Sequence, residues 1–310
     1  MRKCKLCFII FVFLIFLFMK ACSVGFCEEG NTLYVGGNND YKSIQDAINA
    51  SSNNDTIIVT EGTYYENFII NKSINLVGAD KNSTIIDGTI KSNSPVITIF
   101  SNKVNISNLT IQKSIGIDMG DNKNCTINNN LFYDCHMGII SLSLNCTCSG
   151  ENNSITRNII KNCFKGIYFG DSHNNTISDN MIINNDLGID LFISFNNHIY
   201  NNDFSNNTMN VYDGNEFLSN KYNNNYWDDY TGSDTDSDGI GDEPYQIPGG
   251  ENIDEFPMME SYNKLNYTSN DNNEFTVDLD LVIRTLAIGF VIAFVFLLPI
   301  AFYWRKKIFK

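Results

Sequence analysis

Four Gly-Ile dipeptides, Gly116-Ile117, Gly138-Ile139, Gly166-Ile167 and Gly188-Ile189, are followed by Asn210-Val211, at spacings of 22, 28, 22 and 22 residues. Eight residues before each anchor stands Asn108, Asn130, Asn158, Asn180 or Asn202, and fourteen before stands Asn102, Asn124, Asn152, Asn174 or Asn196. The longer step holds six extra residues around "LNCTCSGE", Leu144 to Glu151, which read as an inserted loop that leaves the register intact. Apolar positions repeat with the same period, as Ile127, Ile155, Ile177 and Ile199 and as Phe132, Ile160, Ile182 and Phe204. Rungs of about 22 residues with short strands and in-register side chains fit a right-handed parallel β-helix solenoid and neither helical nor hairpin periodicity. In such a coil, isoleucines fill the interior, while stacked asparagine amides bond rung to rung and tolerate left-handed corners.

A solenoid needs its terminal rungs covered, because they otherwise present open strand edges and bare core. Upstream, "YKSIQDAINASS" (Tyr41 to Ser52) puts Ile44, Ala47 and Ile48 on one helical face, with Asp40 or Ser43 as N-cap, and predicts a short capping helix. The run from Thr56 to Gly88 alternates short β-rich stretches with Gly and Asp-Gly turns and joins the same coil. Together "YKSIQDAIN", "GTYYENFIINKSINLVG", the Asn/Gly repeat and the closing "NYWDDYTGSDTDSDGIGDEPYQIPGG" resemble the NosD-like β-helix proteins over about residues 33 to 260. The resemblance implies the fold, a possible copper role through the family's copper-binding designation, and kinship with sugar-hydrolase β-helices. The closing segment resembles that of membrane-anchored surface members.

The ends suit such an anchor. Residues 1–27 join Arg2, Lys3 and Lys5 to an apolar run, Leu6 to Met19, the pattern of a signal peptide or N-terminal anchor. Residues 285–304 lack charge over the length of a transmembrane helix and lead into a basic tail at 305–310, so the tail is expected in the cytoplasm and the ectodomain outside. The predicted divisions are the β-helix with its cap at 28–225, an acidic closing segment at 226–260 and a linker at 261–284. Residues 28–284 hold all 35 acids and 13 of the 21 basic residues, and 13 minus 35 gives −22. That charge excludes nucleic acid as a partner. Twelve N-x-S/T sequons in the exported part are open to glycosylation in a competent cell.

Three residue sets could carry chemistry. Asp234, Asp236, Asp238 and Gly239 form D-x-D-x-D-G, with the Ile240 carbonyl and Asp242 at the next ligand positions of a calcium loop. Tyr245 stands where an EF-hand has Glu, so the run is more similar to dockerin or thrombospondin calcium loops; a solvated acidic loop is the alternative. Cys135 and Cys163 hold equivalent places in neighbouring rungs, beside His136, with Cys146 and Cys148 in the inserted loop. Sulfur with imidazole suits Cu(I), while strand spacing equally permits a disulfide or inert core thiols. Asp171-Ser172-His173 resembles the D-x-H of alginate epimerases, and Arg157 is a further weak catalytic candidate; a polar turn is the plainer reading. His198 reads as a surface ladder residue, and Tyr226, Trp227 and Tyr230 are expected to pack over the last coil. The chain is therefore expected to be an outward-facing binding or structural module for carbohydrate or a cell-envelope partner. Copper maturation and polysaccharide modification remain alternatives.

Overall fold

The computed structural model describes residues 30–91, 93–142, 150–215 and 219–261. The signal segment, the predicted membrane helix, the basic tail and Cys146 and Cys148 lie outside the described residues. Among the described residues no helix is long and apolar enough to cross a membrane.

Successive rungs each send one strand to three sheets, parallel throughout except that Tyr245–Gln246 pairs antiparallel with Ile253–Asp254 at the end of sheet A, giving a β-solenoid of about eight turns. Sheet A has eleven strands, sheet B eight and sheet C seven. Sheet C, which matters most below, comprises Phe68–Ile70, Pro95–Ile99, Ile115–Asp118, Met137–Leu142, Lys165–Gly170, Leu187–Phe192 and Met209–Asp213. Inward columns run down each sheet in register. Ile106, Ile127, Ile155, Ile177 and Ile199 line sheet A. Phe132, Ile160, Ile182, Phe204 and Trp227 line sheet B. Ile117, Ile139, Ile167, Ile189 and Val211 line sheet C. All of these are fully or almost fully buried, and each isoleucine so placed stabilises the coil by about 2 kcal/mol.

The corners follow one rule: a left-handed residue, then a buried ladder residue. Asn130, Asn158, Asn180 and Asn202 are the ladder residues of one corner, each Oδ1 accepting the N–H of its counterpart one rung earlier. Asn108 falls outside this ladder because its rung is one residue shorter: Leu109 takes the ladder place, and Asn108 has φ +59°. At the second corner the predicted column is itself the left-handed one, with Asn124, Asn152, Asn174 and Asn196 at φ 55–58°. The ladder there is Asn153, Asn175, Asn197 and Asn220, one residue later. A third corner repeats the device with Asn185 and Asn207, whose amides donate to Ile160 O and Ile182 O.

The anchoring glycines answer a steric demand. A Cβ on Gly116, Gly138, Gly166 or Gly188 would lie 2.3, 2.6, 2.5 or 2.3 Å from the carbonyl oxygen of the equivalent residue one rung on. Asn210 escapes that demand because its strand is the last of sheet C.

Both ends are covered. Helix α1, Ile44–Ala50, buries Ile44, Ala47 and Ile48, and Ser43 is its N-cap, accepting from Asp46 N–H at 3.2 Å. Glu66 adds its carboxylate to the first turn, 3.1 Å from Ile44 N. At the other end Trp227 is buried and sandwiched between Phe204 (4.5 Å, 2°) and Tyr245 (4.3 Å, 9°). Tyr230 is partly buried against the core, whereas Tyr226 stands on the outer side of sheet B. The expectation of packed aromatics holds for Trp227 and Tyr230; Tyr245 takes the place given to Tyr226. Asp254 ends the first ladder, its Oδ2 accepting from Asn225 N, Asn225 Nδ2 and Trp227 Nε1 at 3.0, 2.9 and 3.2 Å. A carboxylate suits that position because the terminal place needs acceptors alone.

Candidate functional site

The three outer faces differ sharply. Sheet A has Thr126, Ser154, Thr176, His198 and Lys221 in one outer column and Asn128, Thr156, Ser178, Tyr200 and Asn223 in another, of which Ser178 is buried. Sheet C shows instead Ile115, Met137, Lys165, Leu187 and Met209, then Asp118, Ile140, Tyr168, Asp190 and Tyr212, with Leu142 and Phe192 beyond. Phe192 is 57% and Tyr212 43% exposed. An apolar, aromatic face of this extent marks an interaction surface.

Two tyrosines are each followed two residues later by a glycine that their rings approach. A Cβ on Gly214 would fall 3.0 Å from Tyr212 Cε1, and one on Gly170 would fall 3.4 Å from Tyr168 Oη. Lys165 Nζ sits 4.6 Å from the Tyr168 ring centroid and 2.5 Å from Asp190 Oδ2. Asp118 accepts Gly120 N–H at 2.9 Å, and burial raises its pKa above the ordinary carboxylate value. The face thus combines flat ring surfaces, an ion pair and a carboxylate, which can stack on apolar C–H faces and bond hydroxyls. Sequence reasoning missed it. Its signal was the Tyr-x-Gly spacing at Tyr168 and Tyr212.

The predicted sets are distributed differently. Asp234, Asp236 and Asp238 come together, with one oxygen from each within 4.8 Å of the others. Ser237 (φ +61°) and Gly239 (φ +87°) make the turn, and Gly239 N–H donates to Asp234 Oδ2 at 3.0 Å. The Asp242 carboxylate instead accepts Thr235 N–H at 2.8 Å, which lowers its pKa. Ile240 N–H donates to Asp238 Oδ1 at 2.8 Å.

Cys135 and Cys163 are free, buried thiols occupying the ladder places of the third corner. Cys135 Sγ approaches Ile111 O at 3.6 Å, as the asparagine amides do in later rungs. Its hydrogen bond to Cys163 and then burial push its pKa well up, against the thiolate form that binds metal. His136 is exposed on the outside, stacked on Phe164 at 5.1 Å, so it does not join the thiols.

His173 has both ring nitrogens engaged. Nδ1 accepts Phe195 N–H at 3.3 Å and Nε2 lies 3.0 Å from Asp171 Oδ1, a pattern met by imidazole protonated on Nε2. Phe195 covers the ring at 3.7 Å. Arg157 is exposed at a different corner, between the strands Ser154–Thr156 and Ile159–Lys161, and does not converge on this pair. His198 stands outward on sheet A against Tyr200, at 4.4 Å.

Against known families, residues 146–232 match the model described as periplasmic copper-binding protein (NosD). Over that stretch the chain is NosD-like, and its described coil is a parallel β-helix. No curated protein matches it in sequence. Among solved structures, this NosD-like coil is similar to the tailspike protein gp49 of Acinetobacter baumannii bacteriophage Fri1, a capsular polysaccharide depolymerase. The two share 11% identity at TM-score 0.50, over 63% of this chain and 44% of that one. Geobacillus virus E2 ORF18 shares 18% identity at TM-score 0.50, over 59% and 44%. An alginate lyase from Paenibacillus sp. str. FPU-7 shares 16% identity at TM-score 0.49, over 63% and 76%. The NosD-like chain spans less than half the length of the two viral proteins, and identities at this level establish the fold alone.

Proposed function

We propose that this NosD-like protein is a carbohydrate-binding module of the cell envelope and that the outer face of sheet C is its binding surface. The observation that carries the reading is the contrast between the aromatic, apolar face of sheet C and the Thr/Ser/Asn face of sheet A on the same coil. The polysaccharide-depolymerase tailspike, built on a similar solenoid, supports it. Binding without cleavage fits the spacing of the carboxylates. Asp118 and Asp190 stand three rungs apart, about 14 Å at a strand spacing of about 4.8 Å. Glycosidase acid pairs stand at most about 9.5 Å apart.

The apolar segment 285–304 serves as the membrane anchor in this reading, with the solenoid outside. Calcium serves as a closing ion at Asp234, Asp236 and Asp238, supported by their convergence and by two left-handed turn residues between and beside them. The loop is tied to the cap through Gly241 N–H to Pro257 O at 2.8 Å and Met259 N–H to Gly239 O at 3.0 Å. Copper draws no support from the disposition of Cys135, Cys163 and His136.

The test is retention of the full-length protein on immobilised polysaccharides. The parent is expected to be retained, and a Phe192→Ala/Tyr212→Ala variant to elute early. Equal retention of parent and variant, or none of either, would contradict the assignment.

A further inference from the structure

We propose that the ligand of this face is an extended, uncharged polysaccharide lying along the solenoid axis, stacked on Tyr212 and Tyr168 and hydrogen-bonded by the Lys165–Asp190 pair and Asp118. The inference rests on the reading of sheet C as the carbohydrate surface and names the ligand's charge and direction.

Direction follows from register. Tyr168 and Tyr212 lie in one column, paired through Asp190, and therefore stand two rungs apart, about 10 Å along the axis. That is the length of a disaccharide repeat in an extended β-linked chain, so alternate sugars of an axial chain meet alternate rings. The Tyr212 ring lies beside Gly214 and is 43% exposed, and the half-buried Tyr168 ring lies beside Gly170 with Lys165 Nζ 4.6 Å from its centroid. Between them, Asp190 and Lys165 face the edge of the intervening sugar, where its hydroxyls project. A chain laid across the strands would meet only one of the two rings.

Charge follows from the inventory of the face. Lys165 is the sole cation in the outward columns of sheet C among the described residues, and it is already paired with Asp190. Asp118 adds a second carboxylate, and residues 28–284 carry a formal −22. A uronate or sulfate brought here would meet like charge with no free cation to offset it. Hydroxyls meet carboxylate acceptors, which make the stronger, charge-assisted hydrogen bonds.

The experiment titrates the full-length protein with uncharged β-linked glucan and mannan oligosaccharides and, in parallel, with oligogalacturonate and oligoalginate, by calorimetry. Uncharged oligosaccharides are expected to bind, with affinity rising until the chain spans the five rungs from Asp118 to Tyr212, about 20 Å. Tyr212→Ala is expected to weaken binding about tenfold. Gly214→Ala removes no aromatic group but puts a Cβ 3.0 Å from Tyr212 Cε1, so the ring must give by a few tenths of an ångström, and it is expected to weaken binding less than Tyr212→Ala does. Tyr200→Ala, on sheet A, is expected to leave it unchanged. Tighter binding of the uronates, lost in Tyr212→Ala, would overturn the uncharged ligand and keep the carbohydrate surface. Full affinity in both Tyr212→Ala and Gly214→Ala would overturn the axial stack. Binding of none of the oligosaccharides would overturn this inference and the reading beneath it.

Discussion

Asn180 holds four groups at once: its Oδ1 accepts Asn158 N–H at 2.9 Å and Asn158 Nδ2 at 3.1 Å, and its Nδ2 donates to Ile155 O and Asn202 Oδ1, each at 2.9 Å. Truncation to alanine strands those partners in a fully buried corner, so Asn180→Ala should lower the unfolding free energy by about 3 kcal/mol. Asn201, at φ +54° beside the next ladder residue, needs a left-handed backbone and makes one long side-chain bond, Nδ2 to Asp179 Oδ1 at 3.4 Å, so Asn201→Gly should change stability by less than about 1 kcal/mol. Urea denaturation of the two variants checks the contrast. Sequence shows asparagines at both kinds of position and cannot separate them, because the two roles differ by a single residue. Cys135 and Cys163 illustrate the same limit: sulfurs in neighbouring rungs left metal, a disulfide and inert core thiols open, and the two are buried free thiols in the corner ladder that Asn185 and Asn207 continue. Asp118 gives a pH test. Its pKa is raised in the folded state by burial, so folding favours the protonated form; that contribution is complete below the unfolded value of 3.8 and is lost as pH rises through the folded value. Asp118→Asn should therefore be more stable than the parent at pH 7, with the gap closing as pH falls through the folded value and closed below 3.8, in denaturation series across pH. A less stable variant at pH 7 would mean that contacts outweigh burial.

At the scale of the strand, the Gly-Ile step explains both what could be read in advance and what could not. The glycine recurs because a rung-to-rung carbonyl crowds its Cα, and that recurrence made the solenoid legible. Gly188→Ala would place Cβ 2.3 Å from Asn210 O and should cost about 1–3 kcal/mol through strand displacement. Asn210→Ala meets no following strand of sheet C and should lose the hydrogen bonds it donates to Asp228 and Asp229 and the one its Oδ1 accepts from Asn207 Nδ2, about 1 kcal/mol. Thermal melts of both variants check the order; a smaller loss at Gly188 would contradict the crowding account. The same step hid the candidate site. Gly166 and Ile167 are both buried, which breaks the in-out alternation and turns Lys165 to the same outer face as Tyr168. Alternation counted back from Ile167 puts Lys165 inside. The apolar outer columns thus pass for core until the strand is seen in place.

For the molecule as a whole, the capped solenoid was readable from patterns at its two ends, because a helix stripe and an acidic, aromatic closing run have few other uses there. The identity of the residue pressed on Trp227 was not, since Tyr245 comes from beyond the acidic loop and pairs with Trp227 only in three dimensions. If calcium closes that loop, chelation should lower the melting temperature of the full-length protein and shift Trp227 emission. A Trp304→Phe background isolates that signal, the chain having two tryptophans. Free calcium at a hundredfold excess over its dissociation constant adds about 2.7 kcal/mol. Identical melting and emission with calcium or chelator would remove the ion from the account. The most direct test of the binding surface is hydroxyl-radical footprinting of the intact protein with and without a saturating uncharged β-glucan. Protection should fall on Met137, Tyr168, Phe192, Met209 and Tyr212 of sheet C and spare Tyr200 of sheet A. Protection of Tyr200 with Tyr168, Phe192 and Tyr212 unchanged would contradict it.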